Sequence, residues 1–407
     1  MKWETYLIGE LVDSGLADIQ TGPFGTQLKA SDYIHIGTPV INVRNIGYSD
    51  LRTEKLEYVG DQVTTRLSAH LLKENDIVFG RKGAVDRHLF VTKEQEKWMQ
   101  GSDCIRLRFD TNKIISRFIS YAFLLSGHQQ WMLKQAGNKA TMASLNQDII
   151  KRIALRVPLR SVQTEIIKVL SGYDDLIQNN QRRIVLLEEA VRQVYQEWFV
   201  RLRFPGYEHT RIVDGVPEGW VRKSLREVAY INSENLPSSY DGAIEYIDIA
   251  SVTPGQINET TGYAFRDAPS RARRIVKHGD IIWSCVRPNR RSHAVIWNPA
   301  ENLIASTGFA VISPQHIPTS FLYQALTTEA FVGYLVNHAK GAAYPAVVAG
   351  DFERAEVLVP KDWLLAAFNE FAEPQISLAH NLRVQNQKLR AARDLLLPKL
   401  MSGEISV

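Results

Sequence analysis

A chain of 407 residues, 45% hydrophobic and 23% charged, holds material for roughly two to four globular cores and lacks the composition of a disordered or fibrous protein. No apolar run approaches the roughly 18 residues of a membrane helix, and two cysteines, Cys104 and Cys285, at non-equivalent places are too few for a disulfide or zinc framework. The formal net charge of +4 is a mild basic excess, compatible with nucleic acid without proving it, so the distribution of the cations has to decide.

The N-terminal stretch MKWETYLIGELVDSG is acidic rather than a basic region before an apolar core, so no signal peptide is expected and the cytoplasm is the expected compartment. Two turn-rich segments follow, QTGPFGTQLKASDY (Gln20–Tyr33) and INVRNIGY (Ile41–Tyr48). Next comes NDIVFGRKGAVDRHLF (Asn75–Phe90), a strand that runs into a basic turn and out again. Strand-like alternation in SDCIRLR (Ser102–Arg108) leads to an amphipathic helical pattern over Ile115–Gly137. A short turn then opens a strand that stops at Pro158.

After a long helical stretch the same order returns. GDIIWSCVRPNRRSHAVIW (Gly279–Trp297) repeats the acid-apolar-apolar-aromatic beat, Asp280-Ile281-Ile282-Trp283 against Asp76-Ile77-Val78-Phe79. STGFAVIS (Ser306–Ser313), a helical pattern over Ile317–Gly341 and AGDFERAEVLVP (Ala349–Pro360) follow at a nearly constant offset. Chance likeness would drift, so the chain is read as a two-fold internal repeat. The expected division is a first recognition domain over 1–158, a long helix over 159–203, a second recognition domain over 204–360, and a C-terminal helix with its tail over 361–407.

Both long helices show heptad stepping. The first places Val162, Ile166, Val169, Tyr173, Leu176, Ile184, Leu187, Val191, Val194 and Trp198 on a seam, with Asn180 as its polar member. The second places Leu364, Phe368, Phe371, Leu378, Leu382, Leu389, Ala392 and Leu396 there, with Gln375 and Gln385 in polar slots. Pro374 should kink or split this second helix, because proline removes a backbone donor and clashes with the preceding turn. Complementary seams in one chain pair most simply as an antiparallel coiled coil, and a helix of about 37 residues spans roughly 55 Å. The plainer reading makes both helices core elements of a larger domain; the strict four-three stepping favours the rod. The fold class expected is α+β, with two mixed α/β recognition domains in tandem, each followed by a long helix.

Two like basic modules suit a duplex DNA target in two halves, since the major groove recurs about every 34 Å and phosphates supply affinity while base edges supply specificity. Arginine can bridge guanine O6 and N7, and asparagine or glutamine can do the same for adenine. In the first half Gln27, Lys29, Arg44 and Asn45 lie in turns or strand ends that could present them, and Arg81, Lys82 and Arg87 sit in the basic turn. Thr21, Gly22, Phe24 and Gly25 would let backbone approach a phosphate, or form an ordinary tight turn. In the second half Arg287, Asn289, Arg290 and Arg291 crowd a proline-stiffened turn, and Arg273 belongs to another arginine cluster; a solvated surface is the bland alternative. Lys134, Asn138, Lys139 and Thr141, with counterparts Lys340 and Tyr344, fall where each module meets its helix and suit backbone clamps. The modules differ in their loops, so an asymmetric target is expected.

The tandem halves, the junction GNKATMASLNQDIIKRIALRVPLRSVQTEIIKVL (Gly137–Leu170), the central NNQRRIVLLEEAVRQVYQEWFV and the tail LLLPKLMSGEI (Leu395–Ile405) resemble the specificity subunits of type I restriction-modification systems. The second junction departs from the first in lacking its Asn-Gln step. The resemblance implies a non-catalytic DNA-binding scaffold that recruits two methyltransferase subunits and, through the complex, restriction-translocase subunits. It further implies that S-adenosylmethionine, ATP and Mg2+ belong to those partners and none to this chain. In keeping with that, no glycine-rich loop follows a strand, and neither a phosphate-binding G-x-x-x-x-G-K-[ST] nor an H-E-x-x-H motif occurs. One rival is a stand-alone bipartite regulator; apolar Leu186, Tyr195 and Phe199 off the seam argue for a protein partner instead, unless they pack on their own module. Another is a nuclease using Asp241, Glu245 and Asp248, but strand alternation explains that spacing equally well and no lysine completes the set.

Overall fold

The computed structural model describes residues 3–53, 55–137 and 143–407. The chain divides into two units, one made of residues 1–177 and 387–407 and the other of 178–386.

In the first unit, strand Trp3–Leu7 pairs antiparallel with Ala154–Pro158, tying the start of the module to its end. An antiparallel sheet runs in the order Ala17–Thr21, Cys104–Phe109, Ile77–Gly80, His88–Phe90. A second sheet runs Tyr33–Ile34, Glu57–Val59, Thr38–Ile41, Met99–Gln100, and its last pair is parallel. The second unit repeats the scheme. Val221–Ser224 pairs with Glu356–Val359, and the antiparallel sheet runs Ala229–Ile231, Phe309–Pro314, Ile281–Ser284, His293–Val295. The mixed sheet runs Thr261–Ala264, Ala243–Ile247, Leu303–Ser306, Ala272–Ile275, with Ala243–Ile247 and Leu303–Ser306 parallel. The mixed sheets differ at both edges. Ala272–Ile275 is a full strand, whereas the first unit has only the single bridge Leu71–Met99 there and adds Tyr33–Ile34 at the opposite side.

The repeated beat has a physical origin. Side chains alternate across a strand, and these strands have a core on both faces. Ile77 and Phe79 enter one apolar cluster and Val78 another; Ile281 and Trp283 enter one and Ile282 another. The preceding acid closes the turn, since the Lys73 amide donates to Asp76 (2.8 Å) and the Lys277 amide to Asp280 (2.7 Å). Arg108 pairs with buried Asp76 through two bonds of 2.6 and 2.7 Å. Asp280 has Ser313 in that place, and burial raises its pKa against the hydrogen bonds that lower it.

The helical pattern over Ile115–Gly137 resolves into two helices, Ser116–Phe123 and Ser126–Ala136, and its counterpart into Thr319–Leu326 and Glu329–His338. The long helices are Arg160–Tyr195, extended by a π turn over Gln196–Val200, and Asp362–Ser402. No described helix is long and apolar enough to cross a membrane. Pro374 neither splits nor ends the C-terminal helix. Phe368 and Ala372 before it, and Ala379 and Leu382 after it, are all buried, and that packing outweighs the lost backbone bond.

The helices pair antiparallel within each unit. In the second, Ile184 packs with Ala379 and Leu382, and the Asn180 amide donates to Asn386 (3.0 Å) and Gln385 (3.2 Å). In the first, Ile166 and Leu170 share a core with Leu397, Leu400 and Met401, and Arg393 bonds Asp174 (2.7 Å). The seam differs from the expected one. Leu170 and Ile177 are buried where Val169 and Leu176 were expected, and Asn386 rather than Gln385 is the buried polar residue. A helix of 3.6 residues per turn drifts against a seam of 3.5, and neighbouring apolar residues let the packing choose the next position. Tyr195 and Phe199 also depart from expectation. They lie in the second unit's core with Phe321 and Phe368, all ring pairs among Phe199, Tyr195, Phe321 and Phe368 that touch Phe199 falling within 5.0–5.2 Å, and they are not free to dock a partner. Leu186 is 68% exposed.

Candidate nucleic-acid interface

In the first module the basic turn is laced to the segment that precedes helix Gln147–Lys151. The Arg81 amide donates to Asp103 O (2.8 Å), Leu145 N to Arg81 O (2.8 Å) and Gly83 N to Ala143 O (3.0 Å). Gly83 adopts φ +74°, a left-handed conformation that glycine enters without strain. Lys82 Nζ lies 3.1 Å from Asp103 Oδ1, and the Arg81 guanidinium sits 5.7 Å from the ring of Phe24, which is 58% exposed. Thr21 Oγ1 accepts from Gln147 Nε2 (3.0 Å). Thr21, Phe24, Arg81 and Lys82 therefore share one rim. Asn138, Lys139 and Thr141 lie outside the described residues; Lys134 is exposed on the preceding helix.

Other expected residues fall apart from that rim in bonding. Arg87 stacks 5.1 Å over Tyr48, whose hydroxyl donates to Asp86 (2.8 Å), and Arg44 pairs with Glu57 (2.8 Å). Gln27, Lys29 and Gly25 are exposed. Asn45 is fully buried, contrary to expectation. Its Oδ1 accepts from the Asn42 amide (3.1 Å) and its Nδ2 donates to Arg52 O (2.9 Å), so it shapes the loop and cannot reach a base. Gly22 is buried too. A Cβ there would fall 1.9 Å from the Gly101 carbonyl, so the close approach of two backbones accounts for the glycine.

The second module repeats the lacing: Cys285 N to Gly308 O (2.8 Å), Val347 N to Cys285 O (2.9 Å) and Arg287 N to Pro345 O (2.7 Å). Arg287, φ +50°, stands where the first module has its left-handed glycine, and Arg291, φ +56°, closes the turn. Between them Pro288–Arg290 forms a single 3-10 turn with Pro288 buried. The Arg287 guanidinium lies 4.5 Å from the ring of Tyr344, which is 69% exposed, and also reaches Ala343 O (3.4 Å). Exposed Lys340 and Ala346 exchange two backbone bonds of 2.8 and 2.9 Å, closing the loop that carries Tyr344. Arg291 is held by Glu329, Nη1 to Oε1 2.6 Å. Asn289 and Arg290 are exposed and have no side-chain partner among the described residues. Arg273 lies on the edge strand of the mixed sheet, 4.4 Å over Phe265.

Behind each turn sits a buried histidine. His88 Nε2 contacts Ser120 Oγ (2.8 Å), and His293 Nδ1 contacts the Tyr323 hydroxyl (3.1 Å). Burial pushes their pKa values down to about 3 and about 4, with the Arg117 and Arg291 charges adding to the effect, so both rings are neutral at pH 7. Sequence reasoning missed Glu329, Gln147, Asp103 and Phe265 as partners of the site. Their pairings are long-range, and only the order of the repeat hinted at them. Two of the three suspected nuclease carboxylates are tied to local structure, as Glu245 accepts from Thr260 (2.8 Å) and Asp248 from the Ala250 amide (2.9 Å). Among the described residues no group of three or more histidines, cysteines and carboxylates is placed to hold a metal.

Residues 1–189 match the family model described as the type I restriction modification DNA specificity domain. The chain is 23% identical over 313 residues to the type I restriction enzyme MjaIX specificity subunit of Methanocaldococcus jannaschii, covering 72% of this chain and 70% of that protein. It is 20% identical over 411 residues to the HindI specificity subunit of Haemophilus influenzae, covering 82% and 87%. The chain is similar over most of its length to type I specificity subunits. The crystal structure of an S subunit from M. genitalium shares its fold, with a TM-score of 0.58 at 16% identity over 98% of this chain and 96% of that one. The two modules are topologically equivalent, and each carries its own basic turn, laced by the same kind of backbone bonds.

Proposed function

We propose that this chain is a non-catalytic specificity subunit that recognises an asymmetric, bipartite DNA target, with one half-site for each of its two modules acting as recognition domains and a spacer set by the length of the two long helices. The observation that carries the reading is a single sheet topology built twice and finished with different side chains: Phe24, Arg81 and Lys82 on one rim, and Arg287, Asn289, Arg290 and Tyr344 on the other. Lys134 and Lys340, with Asn138, Lys139 and Thr141, are assigned to the phosphate backbone, where cations supply sequence-independent affinity. Arg44, Arg87 and Arg273, each resting on an acid or a ring, line the flanks. In this reading the chain recruits two methyltransferase subunits and, through them, restriction-translocase subunits. It binds no cofactor itself, and S-adenosylmethionine, ATP and Mg2+ act on those partners.

The test is a map of methylated adenines in cells that carry the methyltransferase partner, with and without this gene. Loss of one motif made of two unlike short half-sites around an unspecified gap is the expected result. An unchanged map would overturn the reading.

A further inference from the structure

Within that DNA-binding reading, we propose that Arg290 is the residue of the second recognition domain that reads a guanine by its major-groove edge. Three arginines crowd this turn, and the structure gives them different work. Arg287 lies on the Tyr344 ring and reaches the Ala343 carbonyl, so its guanidinium braces the turn against the neighbouring loop. Arg291 is gripped by Glu329. Arg290 alone of the three has an exposed guanidinium with no partner among the described residues.

The mounting of that side chain is as informative as its freedom. Buried Pro288 starts the turn, left-handed residues bracket it at Arg287 and Arg291, and the Arg290 amide donates to Arg287 O (2.8 Å). Both feet are strand ends of the same sheet, Ile281–Ser284 and His293–Val295. A phosphate contact tolerates a mobile cation, because charge attraction has little directional demand. A two-bond contact to guanine O6 and N7 demands a guanidinium not spent on a protein partner and a backbone that presents it from a fixed place, and this turn tip supplies both. Among the described residues the first domain's turn offers no equivalent, since Lys82 rests on Asp103, Arg81 on Phe24 and Arg87 on Tyr48. The two half-sites therefore differ in whether an arginine reads guanine from this turn.

The test uses the full chain assembled with its methyltransferase subunits, comparing Arg290→Ala and Arg290→Lys with the parent on a panel of duplexes substituted one base pair at a time. The parent should discriminate sharply at a G·C pair in one half-site, and replacing that guanine by 7-deazaguanine should cost it affinity. Arg290→Ala should lose roughly ten- to a hundredfold of discrimination at that pair alone and become indifferent to 7-deazaguanine, with Arg290→Lys falling between. Uniform weakening across the panel, with a salt dependence shallower by about one phosphate contact, would make Arg290 a backbone clamp and overturn the proposal. Unchanged discrimination would overturn it as well. A parent assembly with no sequence preference would instead bring down the underlying functional reading, and the proposal with it.

Discussion

Replacing Phe199 by alanine separates two physical roles for the end of the central helix. Phe199 is 7% exposed and its ring lies 5.0 Å from Phe321, 5.1 Å from Tyr195 and 5.2 Å from Phe368, with Trp220 at 5.9 Å and Trp198 at 6.1 Å. Truncating a phenylalanine in such a setting costs about 3–5 kcal/mol, from lost transfer energy and from the cavity left among rings that cannot collapse together. Five of the eight tryptophans, Trp198, Trp220, Trp283, Trp297 and Trp363, belong to the second unit, so tryptophan emission follows its unfolding in urea. At a urea dependence of about 2–3 kcal/mol per molar, the midpoint of that transition should fall by roughly 1–2 M. A midpoint within about 0.2 M of the parent, accompanied by loss of partner binding, would refute the packing assignment and return Phe199 to a docking surface.

Stability should also fall with acid in a defined window. His88 and His293 have folded pKa values of about 3 and about 4 against the ordinary 6.5 of a free imidazole, so the unfolded chain takes up protons first. Their contribution is complete above pH 6.5 and declines below it by about 1.4 kcal/mol per pH unit for each ring, until each folded pKa is reached. His88→Gln and His293→Gln should each flatten the stability profile between pH 4 and 6.5, and equally steep profiles would contradict the assignment. At the helix seam, Asn180→Leu removes a donor from the buried Asn386 carbonyl and should cost about 1–3 kcal/mol. The double change with Asn386→Leu should recover most of that loss in denaturant titrations, and strictly additive costs would show that the two amides are not coupled.

The repeat was the most legible feature because it is written in order and spacing, which do not depend on knowing any contact. Strand periodicity, the proline stops and the basic turns all followed from it. The failures have a common cause. Asn45 and Gly22 belong to residue types that serve a ligand or the local backbone equally well, and only the positions of Arg52 and Gly101 decide between those uses. Val169 and Leu170 are both apolar neighbours on a helix, so the seam could be placed only to within one residue. Phe199 was correctly picked out as an apolar residue off the heptad, but its neighbours Phe321 and Phe368 come from distant parts of the chain. Glu329 carried no local sign that it would clamp Arg291.

The hairpin strands Ile77–Gly80 and Ile281–Ser284 hold a core on each face, and that arrangement separates two kinds of mutational cost. Every side chain inside the strand is committed to packing, while those at the tip of the turn, such as Asn289 and Arg290, support neither core. Exchanging them leaves the sheet's stability nearly untouched, subject to one backbone condition: a residue able to adopt a left-handed conformation must stand where Gly83 and Arg287 do. On the DNA-binding reading proposed above, new target preferences are therefore reachable through a few surface substitutions without passing through unstable intermediates, and the capacity to change what is recognised is a by-product of how firmly the rest of the hairpin is buried.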